Sequence, residues 1–215
     1  MGRLIVIEGV DGAGKRTITA GLTARWEAQG LSVATLAFPR YGHSVHADLA
    51  AESLKGGHGD VVDSAYAMGL LFALDRRDAR EELAGLERTN DLVILDRWVA
   101  SNAAYGAARL HQDGDGDMAH WVYELEYERF GLPHPDWQVF LNVSPEIAQQ
   151  RARRREQQES DRTRDTYERD GDLQTRVSAA YADLAQRNWG GPWVVTDGAD
   201  PDALAEKLLP TPSSA

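Results

Sequence analysis

The chain has 215 residues, of which 42% are hydrophobic and 27% charged, and its formal net charge at pH 7 is −11. This size and balance fit one globular domain, and the acidity argues against a nucleic acid polymer as partner, because its phosphates would be repelled. No apolar run of about 18 residues occurs, so no membrane partner is expected. Cysteine is absent, which excludes a disulfide scaffold, a thiolate metal site and cysteine catalysis. We therefore expect a cytoplasmic enzyme.

Strand-like and helix-like segments alternate along the whole chain. Short apolar runs predict five strands, at 4–8, 32–38, 92–96, 138–143 and 193–196. Helices are predicted at 15–29, 63–88, 98–110, 117–130, 145–158, 172–188 and 201–209. This alternation predicts parallel strands joined by helical crossovers, and hence a doubly wound five-stranded α/β sheet flanked by helices. We expect residues 1–209 to form a single domain and 210–215 to form a flexible tail.

A glycine-rich loop joins the first predicted strand to the first helix. Its glycines let backbone N–H groups turn toward phosphate oxygens, the helix N-terminus adds partial positive charge, and Lys15 reaches the outer phosphates. The spacing predicts a P-loop that binds ATP, against the alternative of a glycine-rich turn that caps a helix. The predicted ATP-binding residues are Gly9, Gly12, Ala13, Gly14, Lys15, Arg16 and Thr17.

One position departs from the usual P-loop pattern, in which a Ser or Thr directly after the lysine binds Mg²⁺. Arg16 stands there, and Thr17 follows one residue later, about 100° further around the helix. Either the metal is held elsewhere or the Thr17 hydroxyl points away from it. A further alternative places the Arg16 guanidinium beside the phosphates.

Two polar segments end strands at the carboxyl edge of the predicted sheet, where open α/β sheets bind ligands. Asp96 can orient Mg²⁺ or its waters, and Arg97 can pair with a phosphate; the alternative is that Asp96 caps the next helix. The second segment is Phe38-Pro39-Arg40-Tyr41. An aromatic ring, a rigid bend and an arginine suit a nucleotide's base and phosphate, although a proline also ends many strands.

Basic residues are concentrated near position 150. The cluster comprises Arg151, Arg153, Arg154, Arg155, Arg162 and Arg164. One interpretation is a solvated helix face with i,i+4 ion pairs. The other is a lid over about 151–168, in which an arginine neutralises the migrating phosphoryl group and closure excludes water.

In their order and separations these segments resemble the thymidylate kinase family, and most closely its actinobacterial members, which share Gly-Lys-Arg-Thr at 14–17. The resemblance runs from Ile5 to about Leu184. It is carried by the loop at 9–17, Phe38-Pro39-Arg40, Leu71-Phe72-Ala-Leu-Asp75-Arg76, Asp96-Arg97, Ser101-Asn102-Ala-Ala-Tyr105 and Asp165-Thr-Tyr167-Glu168. It implies a homodimeric kinase that uses ATP and Mg²⁺ to convert dTMP to dTDP.

The resemblance also implies a role for individual residues. Phe72 would stack on thymine, while Arg76 and Asn102 would read its polar edge. Arg40 and Arg97 would hold the acceptor phosphate. The implied dTMP-binding residues are Asp11, Phe38, Pro39, Arg40, Tyr41, Phe72, Arg76, Arg97, Asn102, Tyr105 and Tyr167.

The same resemblance implies further substrate, catalytic and metal roles. Pro39 would shape the pocket for the 5-methyl group, and Tyr105 would lie against the 2′ carbon and disfavour a ribose hydroxyl. The implied catalytic residues are Asp11, Lys15, Arg16, Arg97 and a lid arginine, Arg153 or Arg155, although Arg151 and Arg154 are also candidates. The implied metal ligands are Asp11 and Glu168, beside Asp96, which its place at the strand end suggests.

Two residues depart from the family's pattern. Trp98 stands where many members have Tyr or His, and we expect it to alter packing behind Asp96. Gly106 stands where many have Gln, and we expect a gap near the base pocket.

The rival functions are a kinase for another nucleoside monophosphate or a deoxynucleoside, a nucleotide-dependent switch, and a silent scaffold. The absence of an Asn-Lys-x-Asp motif argues against a GTPase.

Overall fold

The computed structural model describes residues 1–158, 166–198 and 200–209, with the backbone alone at 145, 152, 153, 155–158, 168 and 169. Its centre is a sheet of five parallel strands in the order β2-β3-β1-β4-β5. The strands are β1 Arg3–Glu8, β2 Val33–Ala37, β3 Leu92–Asp96, β4 Trp137–Leu141 and β5 Trp193–Thr196. The predicted fold class is therefore confirmed.

The strand register places three strand ends level with one another. Ile7 of β1 pairs with Asp96 of β3, and Ala37 of β2 pairs with the same Asp96. The loops that follow β1, β2 and β3 therefore leave the sheet side by side at its carboxyl edge. This register brings the glycine loop, the Phe38 segment and Asp96-Arg97 together.

Helices join the strands and flank the sheet. In the part of the chain that the structure describes, they are α1 Lys15–Glu27, α2 Val45–Leu54, α3 Ala65–Asp78, α4 Arg80–Thr89, α5 Val99–Arg109, α6 Asp117–Tyr123, α7 Pro145–Gln158, α8 Thr166–Arg169, α9 Gly171–Gln186 and α10 Pro201–Leu208. A 3-10 helix covers Gly59–Asp63 and a π-helix covers Glu124–Arg129. No helix within the described ranges is both long and apolar enough to cross a membrane.

The core forms where helix faces meet the sheet. In α1 the buried side chains are Ile18, Leu22 and Trp26, spaced four apart so that they lie on one face. This face covers β1, β2 and β3 and also contacts α10. Helices α5 and α9 pack against each other, with α9 against β4 and β5. The sheet is thus a rigid base for the loops at its edge.

The single helix predicted over 63–88 is wrong. The structure has two helices there, α3 and α4, and a separate 3-10 helix before them. At the break, the carbonyl of Asp75 accepts a hydrogen bond from Nη2 of Arg40 at 2.9 Å, while the N–H of Ala79 donates to the same carbonyl at 3.3 Å. A side chain that competes for a helical carbonyl is a known cause of such breaks.

Two other helical features were not predicted. Helix α2 begins after Ser44, whose hydroxyl accepts from the N–H of Ala47, and this helix supplies one wall of the cavity described below. The helix predicted over 117–130 becomes a π-helix from Glu124. π-Helical turns are frequent at functional sites, and here the turn carries Glu126 into the core.

Candidate active site

A cavity of about 1430 Å³ lies at the carboxyl edge of the sheet. Its walls come from the loops after β1, β2 and β3, from α2, α3 and α5, and from the start of α8. The predicted residues that line it are Asp11, Gly12, Gly14, Lys15, Arg16, Thr17, Phe38, Pro39, Tyr41, Phe72, Arg76, Asp96, Arg97, Asn102, Tyr105 and Tyr167.

The loop after β1 adopts a backbone that only glycine accommodates. Gly12 and Gly14 have φ angles of 85° and 101°, in the left-handed region that side chains disfavour. A Cβ on Gly12 would lie 2.0 Å from the carbonyl oxygen of Ala148. Gly14 also precedes α1 without a side-chain cap, and the N–H of Thr17 donates to its carbonyl at 3.0 Å. The N–H groups of Lys15 and Arg16 are thus available to an anionic ligand.

Lys15 lies inside this loop and is 8% exposed. Its Nζ donates to the carbonyls of Gly9 and Val10 at 3.1 and 3.2 Å and lies 4.0 Å from Oδ1 of Asp11. Burial, and then the nearby Arg97, lower the pKa of Lys15 from its ordinary value. The ammonium is thus held at the floor of the loop. A phosphate bound there would stabilise its positive charge.

Arg97, Asp11 and Tyr105 form a hydrogen-bonded group beside the loop. Arg97 has a φ of 70°, which is uncommon for a residue with a side chain. Its Nη2 donates to Oδ1 of Asp11 at 2.8 Å, and the Tyr105 hydroxyl donates to Oδ2 of Asp11 at 3.1 Å. Burial raises the pKa of Asp11, but Arg97 and Lys15 more than offset this effect and hold that pKa well below its usual range.

Asp96 lines the same cavity at the end of β3. Its Oδ1 is buried and has no hydrogen-bond partner among the described residues. A buried carboxylate oxygen without a partner is costly, and a hydrated cation or a donor from a ligand would satisfy it. The described residues contain no cluster of three or more His, Asp or Glu side chains able to hold a metal ion.

Glu8, which the sequence analysis did not assign to the site, anchors the turn that carries Arg97. It is fully buried, and its carboxylate accepts from the N–H of Trp98 at 2.9 Å and from the hydroxyls of Ser101 and Tyr181 at 2.6 and 2.9 Å. Burial raises the pKa of Glu8 despite these bonds. A carboxylate that ends an apolar strand directly before the glycine loop was the available signal.

The far part of the cavity combines an aromatic ring with paired polar groups. Phe72 and Arg76, one turn apart on α3, line the cavity together with Asn102 of α5 and Pro39. Arg76 is 3% exposed and forms a buried ion pair with Glu126. Glu126, which the sequence analysis missed, therefore lies directly behind two of the predicted base-reading residues.

Arg40 is engaged away from the cavity. Its Nε donates to Oδ1 of Asp75 at 2.9 Å and its Nη1 to Oε2 of Glu82 at 3.0 Å, and it is absent from the described residues that line the cavity. Phe38 is 4% exposed and packs on Trp98, with ring centroids 5.1 Å apart. In this structure Arg40 thus fixes the turn after β2 to α3.

Tyr167 closes the cavity on the side of the predicted lid. Its ring stacks on Tyr105 with centroids 6.2 Å apart, and its hydroxyl accepts from Nη1 of Arg109 at 2.5 Å. Arg109 also donates to the carbonyl of Val62 at 2.5 Å and so joins α5 to the 3-10 helix Gly59–Asp63 and to α8. The side chains of Arg153, Arg155 and Glu168, predicted for catalysis and metal binding, lie outside the described part of the structure.

Comparison with known proteins decides the family. The thymidylate kinase family model matches residues 7–203. The chain is 58% identical over 208 residues to the thymidylate kinases of two Mycobacterium tuberculosis strains, an alignment covering 96% of this chain and 97% of each relative. It is also 33% identical over 156 residues to a probable thymidylate kinase of Archaeoglobus fulgidus, covering 71% of this chain and 70% of that one.

The chain belongs to the thymidylate kinase family. The resemblance seen in the sequence is thereby confirmed, including its likeness to actinobacterial members, and the enzyme class is a kinase. A more distant relative is the Bifidobacterium longum thymidylate kinase, 32% identical over 190 residues and covering 86% of this chain and 84% of that one.

One predicted feature of this thymidylate kinase family member is wrong. Gly106 leaves no gap, because a Cβ there would lie 2.3 Å from Cε of Met118 and 2.7 Å from its Cγ. The Met118 side chain fills the space. Trp98, the other departure from the family's pattern, is fully buried against Phe38, and its indole N–H donates to the carbonyl of Pro133 at 3.2 Å.

Proposed function

We propose that this chain binds ATP and dTMP at opposite ends of the cavity at the carboxyl edge of the sheet. The reaction is that of its family, transfer of the γ-phosphoryl group of ATP to dTMP to give dTDP and ADP. One observation carries the assignment of the site: a single cavity joins the glycine loop with Lys15 to the Phe72, Arg76 and Asn102 group. This continuity supports the binding of two nucleotides in contact with each other.

The donor end is the glycine loop. Its backbone N–H groups and the N-terminus of α1 would hold the ATP phosphates, and Lys15 would contact the outer ones. Arg16 and Thr17 are exposed and line the cavity, so both are within the donor end. The lid arginines, Arg153 and Arg155, remain proposed transition-state contacts.

The acceptor end lies across from the loop. Thymine would stack on Phe72 with its polar edge toward Arg76 and Asn102, and Arg97 would hold the acceptor phosphate. A phosphate oxygen of dTMP then attacks the γ-phosphorus, and the bond to the leaving ADP oxygen breaks. The acceptor phosphate is already largely ionised at pH 7, so alignment and charge neutralisation by Lys15 and Arg97 are the main requirements.

Of the predicted metal ligands whose side chains the structure describes, Asp96 is the one whose surroundings suit Mg²⁺. Asp96 has an unpartnered buried oxygen in the cavity, and carboxylates and phosphates are the ligands that Mg²⁺ prefers. Asp11 is less suited, because both of its oxygens already accept hydrogen bonds. When bound, the ion would neutralise charge on the phosphates, with Asp96 as its protein ligand, directly or through water. Glu168 remains a proposed second ligand.

We also propose that the chain forms a homodimer and works in the cytoplasm. Tyr66 and Leu70 lie four residues apart on α3, so they share a helix face, and they are 40% and 41% exposed. The Tyr66 ring packs edge-on against Trp121 of α6 at 5.0 Å. Tyr66 and Leu70, on the helix that carries Phe72 and Arg76, form an apolar patch with Trp121 of α6, and a second copy of the chain would cover it.

The decisive experiment is an assay of ADP release from ATP and Mg²⁺ with dTMP, dUMP, dCMP, AMP or GMP as acceptor. We expect dTMP to be strongly preferred, with dUMP weaker. Lys15→Met should lower kcat by at least about 10²-fold, whereas Lys207→Met, which removes an exposed lysine on α10, should not. A better acceptor among dCMP, AMP and GMP would overturn the base-pocket assignment. ADP release without acceptor would favour a switch.

A further inference from the structure

Glu126 has an unusual place in the fold. It lies in the π-helix Glu124–Arg129 and its side chain is fully buried. A π-turn inserts an extra residue and thereby redirects the side chains that follow. A buried carboxylate is costly unless it is paired and hydrogen-bonded, so the partners of Glu126 show what this local distortion achieves.

The first partner is Arg76. Its Nε donates to Oε2 of Glu126 at 2.5 Å and its Nη2 donates to Oε1 at 2.8 Å. This two-point contact fixes the plane of the guanidinium. Burial lowers the pKa of Arg76, but Glu126 more than offsets burial and the pKa lies above its usual value. Among the described residues, Nη1 of Arg76 has no partner, so the orientation leaves a donor for the cavity.

The second partner is Asn102. Its Nδ2 donates to Oε1 of Glu126 at 2.8 Å and to the carbonyl of Gly69 at 2.9 Å. Both neighbours are acceptors only, so a reversed amide would place oxygen against oxygen at both contacts. The nitrogen must therefore face Glu126. The acceptor Oδ1 is left without a partner in the described structure, on a residue that lines the cavity.

These two contacts set the hydrogen-bond pattern that the cavity offers. Arg76 presents a donor and Asn102 presents an acceptor. A pyrimidine with a 4-oxo group and an N3 proton offers the complementary acceptor and donor, whereas cytosine offers an amino donor at C4 and an acceptor at N3. Reversing the Asn102 amide would suit cytosine instead.

We propose that Glu126 is a positioning residue that selects 4-oxo pyrimidine monophosphates by fixing the Asn102 amide and the Arg76 guanidinium. The proposal rests on the proposed function, in which the base lies against Arg76 and Asn102. Glu126 itself is not among the described residues that line the cavity. It acts through the two residues that it orients.

The test is the ratio of kcat/KM for dTMP to kcat/KM for dCMP in Glu126→Gln. Glutamine has one acceptor oxygen where glutamate has two, so at least one of the three donors loses its partner. Where the glutamine nitrogen faces Asn102, only the Gly69 carbonyl holds the original amide orientation, and the reversed amide gains a donor for its oxygen. We expect the dTMP to dCMP ratio to fall at least about tenfold. The dTMP to dUMP ratio should stay unchanged, because those two bases share the same edge at C4 and N3.

The control is Glu128→Gln, the same chemical change at an exposed position of the same π-helix. It should leave both ratios and the KM for ATP unchanged. Each ratio is measured on one preparation, so it does not depend on the fraction of folded enzyme. Circular dichroism and thermal unfolding of each variant report any separate effect on stability.

Glu126→Asp is the second variant, because it keeps a negative charge beside Arg76 but withdraws the carboxylate by one methylene. It should lower the dTMP to dCMP ratio in the same direction. If turnover is too slow to measure, the ratio of the dissociation constants of dTMP and dCMP, from calorimetry, replaces the ratio of their kcat/KM values. An unchanged ratio in both variants, or loss of the fold in both, overturns the proposal. Failure of wild-type enzyme to prefer dTMP would instead overturn the proposed function.

Discussion

Asp11 shows how a partly buried side chain keeps its charge. Its two oxygens accept from Arg97 and Tyr105, and Lys15 lies 4.0 Å away. The pairing fixes Arg97 in its left-handed turn, with its guanidinium in the cavity. The family resemblance implied that Asp11 binds dTMP and the metal. Its function as the counter-ion of Arg97 depends on a contact between residues 86 positions apart.

The depressed pKa of Asp11 makes a prediction about stability. A carboxyl whose pKa is lower in the folded state stabilises that state above its unfolded pKa of about 3.9, and the stabilisation is lost as the pH falls below this value. Asp11→Asn should therefore lower the free energy of unfolding at pH 7 by about 1.5–3 kcal/mol. The difference from wild type should shrink as the pH is lowered from 5 toward 3, as measured by urea unfolding at each pH.

Asp202→Asn provides the matched control for Asp11. Asp202 pairs with Arg25 at 3.3 Å, but its side chain is 71% exposed, and exposed ion pairs contribute little. This variant should be nearly as stable as wild type at every pH. A difference between wild type and Asp11→Asn that stays constant with pH would show that the lost contacts do not depend on the charge of Asp11.

Residues that belong to a local pattern were predictable, and residues that act through distant partners were not. The spacing from Gly9 to Lys15 predicted a phosphate loop, and the loop lies in the cavity. Glu8 and Glu126 were missed, because each pairs with groups at least 24 positions away along the chain. Periodicity carries no signal for such pairs.

At the scale of elements, the strands were predicted more accurately than the helices. Buried parallel strands are short apolar runs that end at turn residues, and β3 and β5 have the predicted bounds. The sequence of 63–88 predicts one continuous helix because the break in it comes from a distant residue. Arg40 donates to the Asp75 carbonyl, and no local pattern within 63–88 indicates that contact. Helix α2 is short, and Ser44, which caps it, is its only strong local signal.

Packing between α5 and α6 gives a prediction at this scale. Gly106→Ala would place a Cβ 2.3 Å from Met118 Cε, and overpacking of a core costs about 1–3 kcal/mol. We expect the free energy of unfolding to fall by that amount, despite the better helix propensity of alanine. Chemical denaturation measures it, and a double-mutant cycle with Met118→Ala should show a favourable coupling of at least about 1 kcal/mol.

Gly85→Ala is the control for Gly106. Gly85 lies in α4, and a Cβ there would meet no atom within 4 Å. Alanine should therefore raise the free energy of unfolding by about 0.5–1 kcal/mol through helix propensity alone. If both glycine variants gained stability equally, Met118 would have moved aside without cost and the packing argument would be wrong.

At the scale of the whole molecule, topology explains why one cavity serves two ligands. β1 lies between β3 and β4, and β3 lies between β1 and β2, so three consecutive strand ends present the glycine loop, Asp96-Arg97 and the Phe38 segment. This part of the site follows from the rule that parallel sheets bind ligands at their carboxyl edge. The wall formed by α2 and the closure by Tyr167 depend on tertiary contacts that no local pattern encodes.

The proposed homodimer gives the last prediction. Leu70→Glu puts a charge in the patch formed by Tyr66, Leu70 and Trp121, and burying an unpaired charge in an interface is strongly unfavourable. Sedimentation velocity should show wild type at twice the 23.7 kDa of one chain and Leu70→Glu at the mass of one chain. Since α3 also carries Phe72 and Arg76, the variant should raise the KM for dTMP more than the KM for ATP.

Val195→Glu separates the effect of the patch from that of an added charge. Val195 is 50% exposed on the edge strand β5, away from α3, and its variant should keep the mass and both KM values of wild type. A wild-type mass of one chain would refute the dimer. A dimeric Leu70→Glu would place the interface on another surface, and the link between subunit contact and the acceptor end of the cavity would then be lost.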